Sequence, residues 1–223
     1  MEIVFILVEP ARGENVGAAA RALKTMGFAQ LWLVRACPLD REARWVAHQS
    51  QALLDNARHF DSLAEALSEV DFSIASSARR RLDHDDYLTP AQCRTAILGK
   101  HGSIRRAALV FGRESSGLTG AELALCDTAT TVPMACEQPS LNLAQAVMLY
   151  AWELRQGMME TAAPVPQVDA AYPMVRQALT EHFIRLGIDR HENLQRWASE
   201  GLARFSARDL GMLMQILKRL PGE

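Results

Sequence analysis

Three short segments of this 223-residue chain combine polar side chains with glycines in a way that suits ligand chemistry. Arg12-Gly13-Glu14-Asn15-Val16-Gly17 is followed by Arg21 and Lys24. Phe111-Gly112-Arg113-Glu114-Ser115-Ser116-Gly117-Leu118 ends an apolar run, and Pro139-Ser140-Leu141-Asn142-Leu143 opens a long helical pattern. Arg21 stays charged at neutral pH, so it suits anchoring a phosphate or polarising a hydroxyl better than abstracting a proton. Asn142 can both donate to and accept from a polar substrate. Gly112 and Gly117 let a backbone turn approach a ligand closely, with Glu114 bracing the loop. Structural duties compete at each position: Asn15 as a helix cap, Arg113 with Glu114 as a local ion pair, Ser140 and Asn142 as caps of the long helix.

Other chemistries are poorly supported. None of the segments is GxGxxG or GxxxxGK[ST], and no GxSxG elbow is present. The histidines at 48, 59, 84, 101, 182 and 191 are scattered, and the cysteines at 37, 93, 126 and 136 form no CxxC pair. Neither a metal site nor a disulfide framework is therefore expected. The formal net charge is −2, with 16 basic and 19 acidic side chains in residues 1–160 and 8 and 7 in residues 161–223. That excludes a general basic coat, so any nucleic-acid contact must be local. Arg79-Arg80-Arg81 and Arg105-Arg106 are the local clusters, the first partly offset by Asp83, Asp85 and Asp86. Trp32, Trp45, Trp152 and Trp197 read as packing residues. No apolar stretch approaches membrane-spanning length, and Met1 leads directly into a strand-like run, so a soluble cytoplasmic protein is expected.

The elements that must position these segments follow from periodicity. Ile3–Val8 is a continuous apolar run, as expected of a parallel strand buried on both faces. A helix is predicted from Asn15 through Met26, and a short strand at Leu31–Val34. A helix over Arg44–Leu54 follows, then an apolar stripe at Leu63, Ala66 and Leu67 and a strand at Asp71–Ala75. Thr89-Pro90 opens a helix, since proline suits the first turn. Ala107–Phe111 is the clearest internal strand. A short helix over Leu118–Leu125, a strand at Thr130–Met134 and a long helix over Leu141–Met158 complete an α/β pattern with crossover connections. Residues 159–170, which hold two prolines, read as a linker. Beyond it, Val175, Leu179, Phe183 and Leu186, and then Leu210, Leu213, Ile216, Leu217 and Leu220, recur at helical spacing. Residues 1–158 thus form one domain and 171–223 a small helical one.

Together, and in order, the three segments resemble the SPOUT (SpoU-type) RNA ribose 2′-O-methyltransferases. The resemblance rests on Asn15-Val16-Gly17-Ala18-Ala19-Ala20-Arg21-Ala22 with Leu23-Lys24-Thr25-Met26-Gly27-Phe28, on Leu109-Val110-Phe111-Gly112-Arg113-Glu114 with Gly117-Leu118-Thr119, and on Val132-Pro133-Met134 with Pro139-Ser140-Leu141-Asn142-Leu143-Ala144. The pattern is similar to that of the TrmJ/LasT-like branch, which also has a helical C-terminal extension. This resemblance implies a trefoil-knotted, mostly parallel sheet with flanking helices, plus that extension. It implies a homodimer whose site is completed across the interface.

It also implies S-adenosyl-L-methionine as cofactor, held by Ser76, Ser77, Gly112, Arg113, Met134, Cys136, Ser140 and Leu141. The implied catalytic residues are Arg21, Asn15, Ser140, Asn142 and Glu114. RNA would be met by Arg12, Arg21, Lys24, Arg113 and the Arg79–Arg81 run. The implied substrate is tRNA, with cytidine or uridine at the start of the anticodon loop as target, or ribosomal RNA. Two alternatives stay open: methylation of a base through a Cys136 nucleophile, and a noncatalytic RNA-binding role.

Overall fold

The computed structural model describes residues 1–78, 87–136, 140–160, 172–189 and 191–219. The chain alternates strand and helix: β1 (Glu2–Val8), α1 (Gly13–Thr25), β2 (Gln30–Val34), α2 (Arg41–Ala47), α3 (Gln51–Asp55), β3 (Arg58–Phe60), α4 (Leu63–Leu67) and β4 (Phe72–Ser76). It continues with α5 (Pro90–Leu98), β5 (Arg106–Phe111), α6 (Gly120–Ala124), β6 (Thr128–Thr130) and α7 (Leu143–Glu160), and ends in α8 (Tyr172–Arg185), α9 (Glu192–Arg204) and α10 (Ala207–Leu217). The strands form one sheet in the order β3-β2-β1-β5-β4-β6, and every pairing is parallel.

A two-residue period divides the sheet's side chains between two cores. Phe5, Leu7, Leu31, Leu33, Leu109 and Phe111 face α1 and α7, meeting Val16, Leu23, Val147 and Tyr150. Val4, Ile6, Val8, Trp32, Val34 and Val110 face the other way, onto Leu63 and Ala66 of α4 and Leu123 of α6. Both central strands are thus covered on both sides, which explains their unbroken apolar runs. Thr89 caps α5 in a reciprocal pair with Gln92, and Thr119 caps α6 with Glu122.

Four expectations need revision. The single helix over Arg44–Leu54 is broken at His48, whose φ of 50° lies in the left-handed region, and a 3₁₀ turn at His48–Ser50 separates α2 from α3. The last strand ends at Thr130 instead of extending through Met134; Pro133, with no amide hydrogen, suits a loop. Asn15 is the third residue of α1 and not its cap, which is Arg12. Of the tryptophans only Trp32 is buried, while Trp45, Trp152 and Trp197 are 83%, 50% and 73% exposed. The edge strand β3 gives no warning in sequence, being three residues with only Phe60 buried.

The tail helices close over the first core. Tyr172, Val175, Leu202, Leu210, Met214 and Leu217 belong to the same buried cluster as Phe72 and Ile97. Polar ties reinforce the packing: Tyr172 N donates to Ser103 O at 3.0 Å and Ala207 N to Gly99 O at 2.8 Å. Arg176 pairs with Asp127 at 2.7 Å. Residues 161–171, where most of the expected linker falls, lie outside the described residues, and α7 itself runs to Glu160.

Lys100 is the unusual member of this junction. It is fully buried, and its ammonium donates to the carbonyls of Ala203 and Phe205, the latter at 3.0 Å. Those acceptors lie at the C-terminal end of α9, where helical carbonyls lack partners within the helix. The Phe72 and Tyr172 rings lie 4.3 and 5.1 Å from Nζ. Burial pulls the Lys100 pKa down to about 7, against the opposing pull of Asp127 and Asp209. Between that value and the ordinary lysine range the unfolded chain holds the proton that the folded one has released, so stability rises with pH there. Relative to Lys100→Met, the wild type is expected to gain up to about 1.4 kcal/mol per pH unit above pH 7. Urea unfolding from pH 6 to 10 measures this, and a pH-independent difference would contradict it.

Candidate active site

The three glycine- and asparagine-bearing segments leave the sheet at its C-terminal edge, where open α/β folds bind ligands. Ser76 is in register with Phe111 on one side and Thr130 on the other. Ser77, Gly112 and Thr131 therefore begin their loops in one row. The chain turns from β1 towards β2 but from β5 towards β4 and β6, so β1 and β5 part at a topological switch point. Their loops meet across it.

The meeting point is a directed chain of hydrogen bonds. Glu114 Oε2 accepts from Ala11 N at 2.9 Å, and Oε1 accepts from Asn15 Nδ2 at 2.8 Å. Asn15 Oδ1 then accepts from Asn142 Nδ2 at 2.9 Å, and Asn142 Oδ1 accepts from Ala144 N at 2.9 Å. An ionised carboxylate only accepts, so it turns the Asn15 amide group towards itself and fixes every later donor and acceptor. Asn142 also caps α7 reciprocally, its own amide donating to Gln145 Oε1 at 3.1 Å. Its two expected roles, helix cap and site residue, thus coexist. Burial pushes the Glu114 carboxyl up, but the Ala11 amide, the Asn15 side chain and the Glu114 and Arg12 amides outweigh it and hold the group below its usual range. A carboxylate so occupied is an anchor and a poor base.

Arg113 and Glu114 do not pair with each other. The Arg113 guanidinium meets Glu9 at 2.6 Å and Glu122 in a two-pronged contact at 2.9 and 3.0 Å. Glu9 is held below its ordinary value by Arg113 first and then by Arg35. A guanidinium so engaged braces the β5 loop against the end of β1 and is poorly placed to meet cofactor or RNA as expected. Gly112 is likewise explained within the loop. A Cβ there would fall 2.2 Å from the Gly117 carbonyl carbon and 2.3 Å from Leu118 N, so the close return of the loop's own backbone already requires glycine.

The remaining site residues divide by place. Arg21 is exposed on α1, about 120° around the axis from Asn15 and about 9 Å along it. Its guanidinium makes no hydrogen bond or ion pair with any described residue. Arg12 is exposed at the start of α1, and Lys24, exposed one turn beyond Arg21, donates to Gln49 O. Ser76 closes β4 and Ser77 follows it, its N donating to Thr130 O at 3.0 Å. Met134 is half-buried, whereas Cys136, Ser140 and Leu141 are exposed. Arg79, Arg80 and Arg81 lie outside the described residues. Arg105 and Arg106 sit at the opposite, N-terminal edge of the sheet, where their amides donate to Asp71 and Arg106 pairs with Glu2.

The donor set suits S-adenosyl-L-methionine, with apolar side chains beside free backbone groups. Val132, Met134 and Ala135 make no hydrogen bond with any described residue, leaving backbone amides and carbonyls available to a nucleobase edge. The half-buried Met134 and exposed Leu141 add apolar surface to these segments. Among the described residues no cluster of three His, Cys, Asp or Glu side chains could hold a metal ion.

Known proteins resemble this chain over most of its length. The chain is 42% identical over 219 residues to the uncharacterized tRNA/rRNA methyltransferase LasT of Escherichia coli K12, covering 97% of this chain and 96% of that protein. It is 38% identical over 182 residues to the tRNA (cytidine/uridine-2′-O-)-methyltransferase TrmJ of Klebsiella pneumoniae, covering 78% of this chain and 72% of the relative. The crystal structure of TrmJ from Z. mobilis superposes with a TM-score of 0.66 at 29% identity, covering 98% of both chains. The model of the SpoU rRNA Methylase family matches residues 2–152, a span holding every side chain of the Glu114–Asn15–Asn142 junction. The chain belongs to the SpoU rRNA Methylase family.

Proposed function

We propose that this protein transfers a methyl group from S-adenosyl-L-methionine to a ribose 2′-hydroxyl of tRNA, with cytidine or uridine at the start of the anticodon loop as target. The observation that carries this reading is the Asn142–Asn15–Glu114 hydrogen-bond chain, which joins all three family segments at the switch point. Family membership makes the chain an RNA methyltransferase. The activity named for its TrmJ relatives supports the 2′-oxygen of tRNA.

The cofactor supplies an electrophilic methyl on a sulfonium and leaves as neutral S-adenosylhomocysteine. The protein's task is to orient the hydroxyl in line with that methyl while its proton passes to solvent. Arg21, charged and uncommitted, anchors the RNA phosphate beside the reacting ribose. The hydrogen-bond chain holds Asn15 and Asn142 at the mouth of the β5 loop, and Ser140 lies two residues before Asn142 on the approach to α7. Arg21 stands on a different face of α1 from Asn15, which supports a homodimer in which the arginine of one copy serves the site of the other. The return of the chain from β6, beside β4, through α7 to α1 and α5 supports the trefoil knot. This activity places the protein with its RNA in the cytoplasm. Among the described residues no helix is long and apolar enough to cross a membrane. The tail helices over 171–223 serve as a C-terminal domain docked on the first.

Nucleotide-resolved mass spectrometry of unmodified tRNA and ribosomal RNA, each incubated with isotope-labelled S-adenosyl-L-methionine, tests the reading. Label on one ribose 2′-oxygen is expected. Label on a base, lost in Cys136→Ala, would overturn it. Arg21→Ala is expected to lower kcat/KM for RNA about 100-fold while leaving calorimetric cofactor affinity within a factor of three. Glu114→Gln substitutes an amide that cannot fix the relay's direction and is expected to cost about 1–3 kcal/mol of stability. Wild-type stability should also fall as pH drops through the depressed Glu114 value, a loss that denaturant titrations between pH 5 and 3 should find reduced in the variant.

A further inference from the structure

The contact between α1 and α2 is closest at Gly17. A Cβ there would lie 2.1 Å from Ala43 O and 3.0 Å from the Ala43 carbonyl carbon, so only glycine lets the two backbones meet. This approach fixes where Trp45, two residues after Ala43, is presented. Trp45, Val46 and His48 line an open cleft of about 500 Å³ together with Arg21. At 83% exposure, Trp45 is the most solvent-exposed large apolar side chain among the described residues. Val46 is only half-buried, and the break at His48 turns the chain away immediately afterwards.

A single exposed indole needs no explanation by itself. The meaning lies in its neighbour, a guanidinium with no bonding partner among the described residues. An uncommitted cation beside a bare aromatic face matches a single-stranded nucleic acid, whose phosphates seek charge and whose unpaired bases seek a flat surface. A second copy of this chain fits less well. A second copy meeting this surface with the twofold axis at the cleft would set Arg21 against Arg21, with Lys24 close to each.

We propose that Trp45 is a stacking platform for an unpaired RNA base flanking the methylated nucleotide, with Arg21 holding the adjoining phosphate. The proposal rests on the RNA-methyltransferase reading and adds to it a residue that selects unstacked over helical RNA. Stacking of one base on an aromatic side chain corresponds to about a 5- to 150-fold change in binding.

The test compares wild type, Trp45→Ala and Trp45→Phe, with unmodified total tRNA and ribosomal RNA as separate probes. Filter binding, labelled methyl transfer, calorimetric cofactor binding and light scattering are measured on each protein. Trp45→Ala is expected to raise the KM for RNA at least fivefold, with cofactor affinity and molecular mass unchanged. Trp45→Phe should stay within threefold of wild type. A Trp45→Ala protein that binds and methylates RNA like wild type overturns the platform and leaves the enzymatic reading intact. A halved mass in Trp45→Ala also overturns it, because the indole then serves the contact between copies. A wild type that neither binds nor methylates either RNA overturns both readings together.

Discussion

The arrangement of the loops at the switch point depends on the demand of one carboxylate for donors. Glu114 accepts from the β1 loop through Ala11 N and from α1 through Asn15, and by orienting Asn15 it also sets Asn142 at the start of α7. These partners lie 103, 99 and 127 residues apart along the chain. They come together because β1 and β5 are neighbours in the sheet and α7 packs back onto α1. Without an acceptor-only group at its head, either asparagine amide could turn over and the α7 cap would lose its partner.

A second layer of charge supports the first. Glu9 and Arg35 follow the paired ends of β1 and β2, and both adopt positive φ, 46° and 43°. Side chains with a Cβ are uncommon there, and such strain persists where surrounding bonds over-determine it. Here Glu9 N donates to Val34 O at 2.8 Å, Arg35 N donates to Phe60 O at 3.1 Å, and Arg35 Nε reaches Glu9 Oε1 at 2.7 Å. Glu9 then holds Arg113, and Arg113 holds Glu122, itself part of the cap of α6. One ion-pair network thereby links the exits of β1, β2 and β5, leaving Glu114 free of Arg113 to serve Asn15.

The parallel sheet was legible because buried strands leave unbroken apolar runs, as at Ile3–Val8 and Ala107–Phe111, and because Thr89-Pro90 marks a helix start. The short edge strand β3 was not, since Arg58-His59-Phe60 carries no such run. The break at His48 also escaped, because its positive φ falls on a residue with no turn signature. Within the site, Asn15, Glu114 and Asn142 were identifiable as polar residues at loop positions. Their mutual bonding was not, since partners 99 and 127 residues apart leave no local spacing pattern. Arg113 shows the converse: its loop position suggested a ligand contact, whereas its two carboxylate partners, at 9 and 122, become visible only in three dimensions. Trp45 reads as core by residue type, whereas α2 turns Ala43 and Ala47 inward against α1 and leaves Trp45, about 200° around from Ala43, at the surface.

The buried Lys100 gives the tail helices a particular character. The Lys100 amine lies beneath Phe72 and Tyr172 and donates to the last carbonyls of α9, so parting the tail from the sheet would strip those carbonyls of a buried partner. The tail is therefore no tethered arm but part of the body that carries the sheet. Any surface it offers stands at a set offset from the ends of β1 and β5.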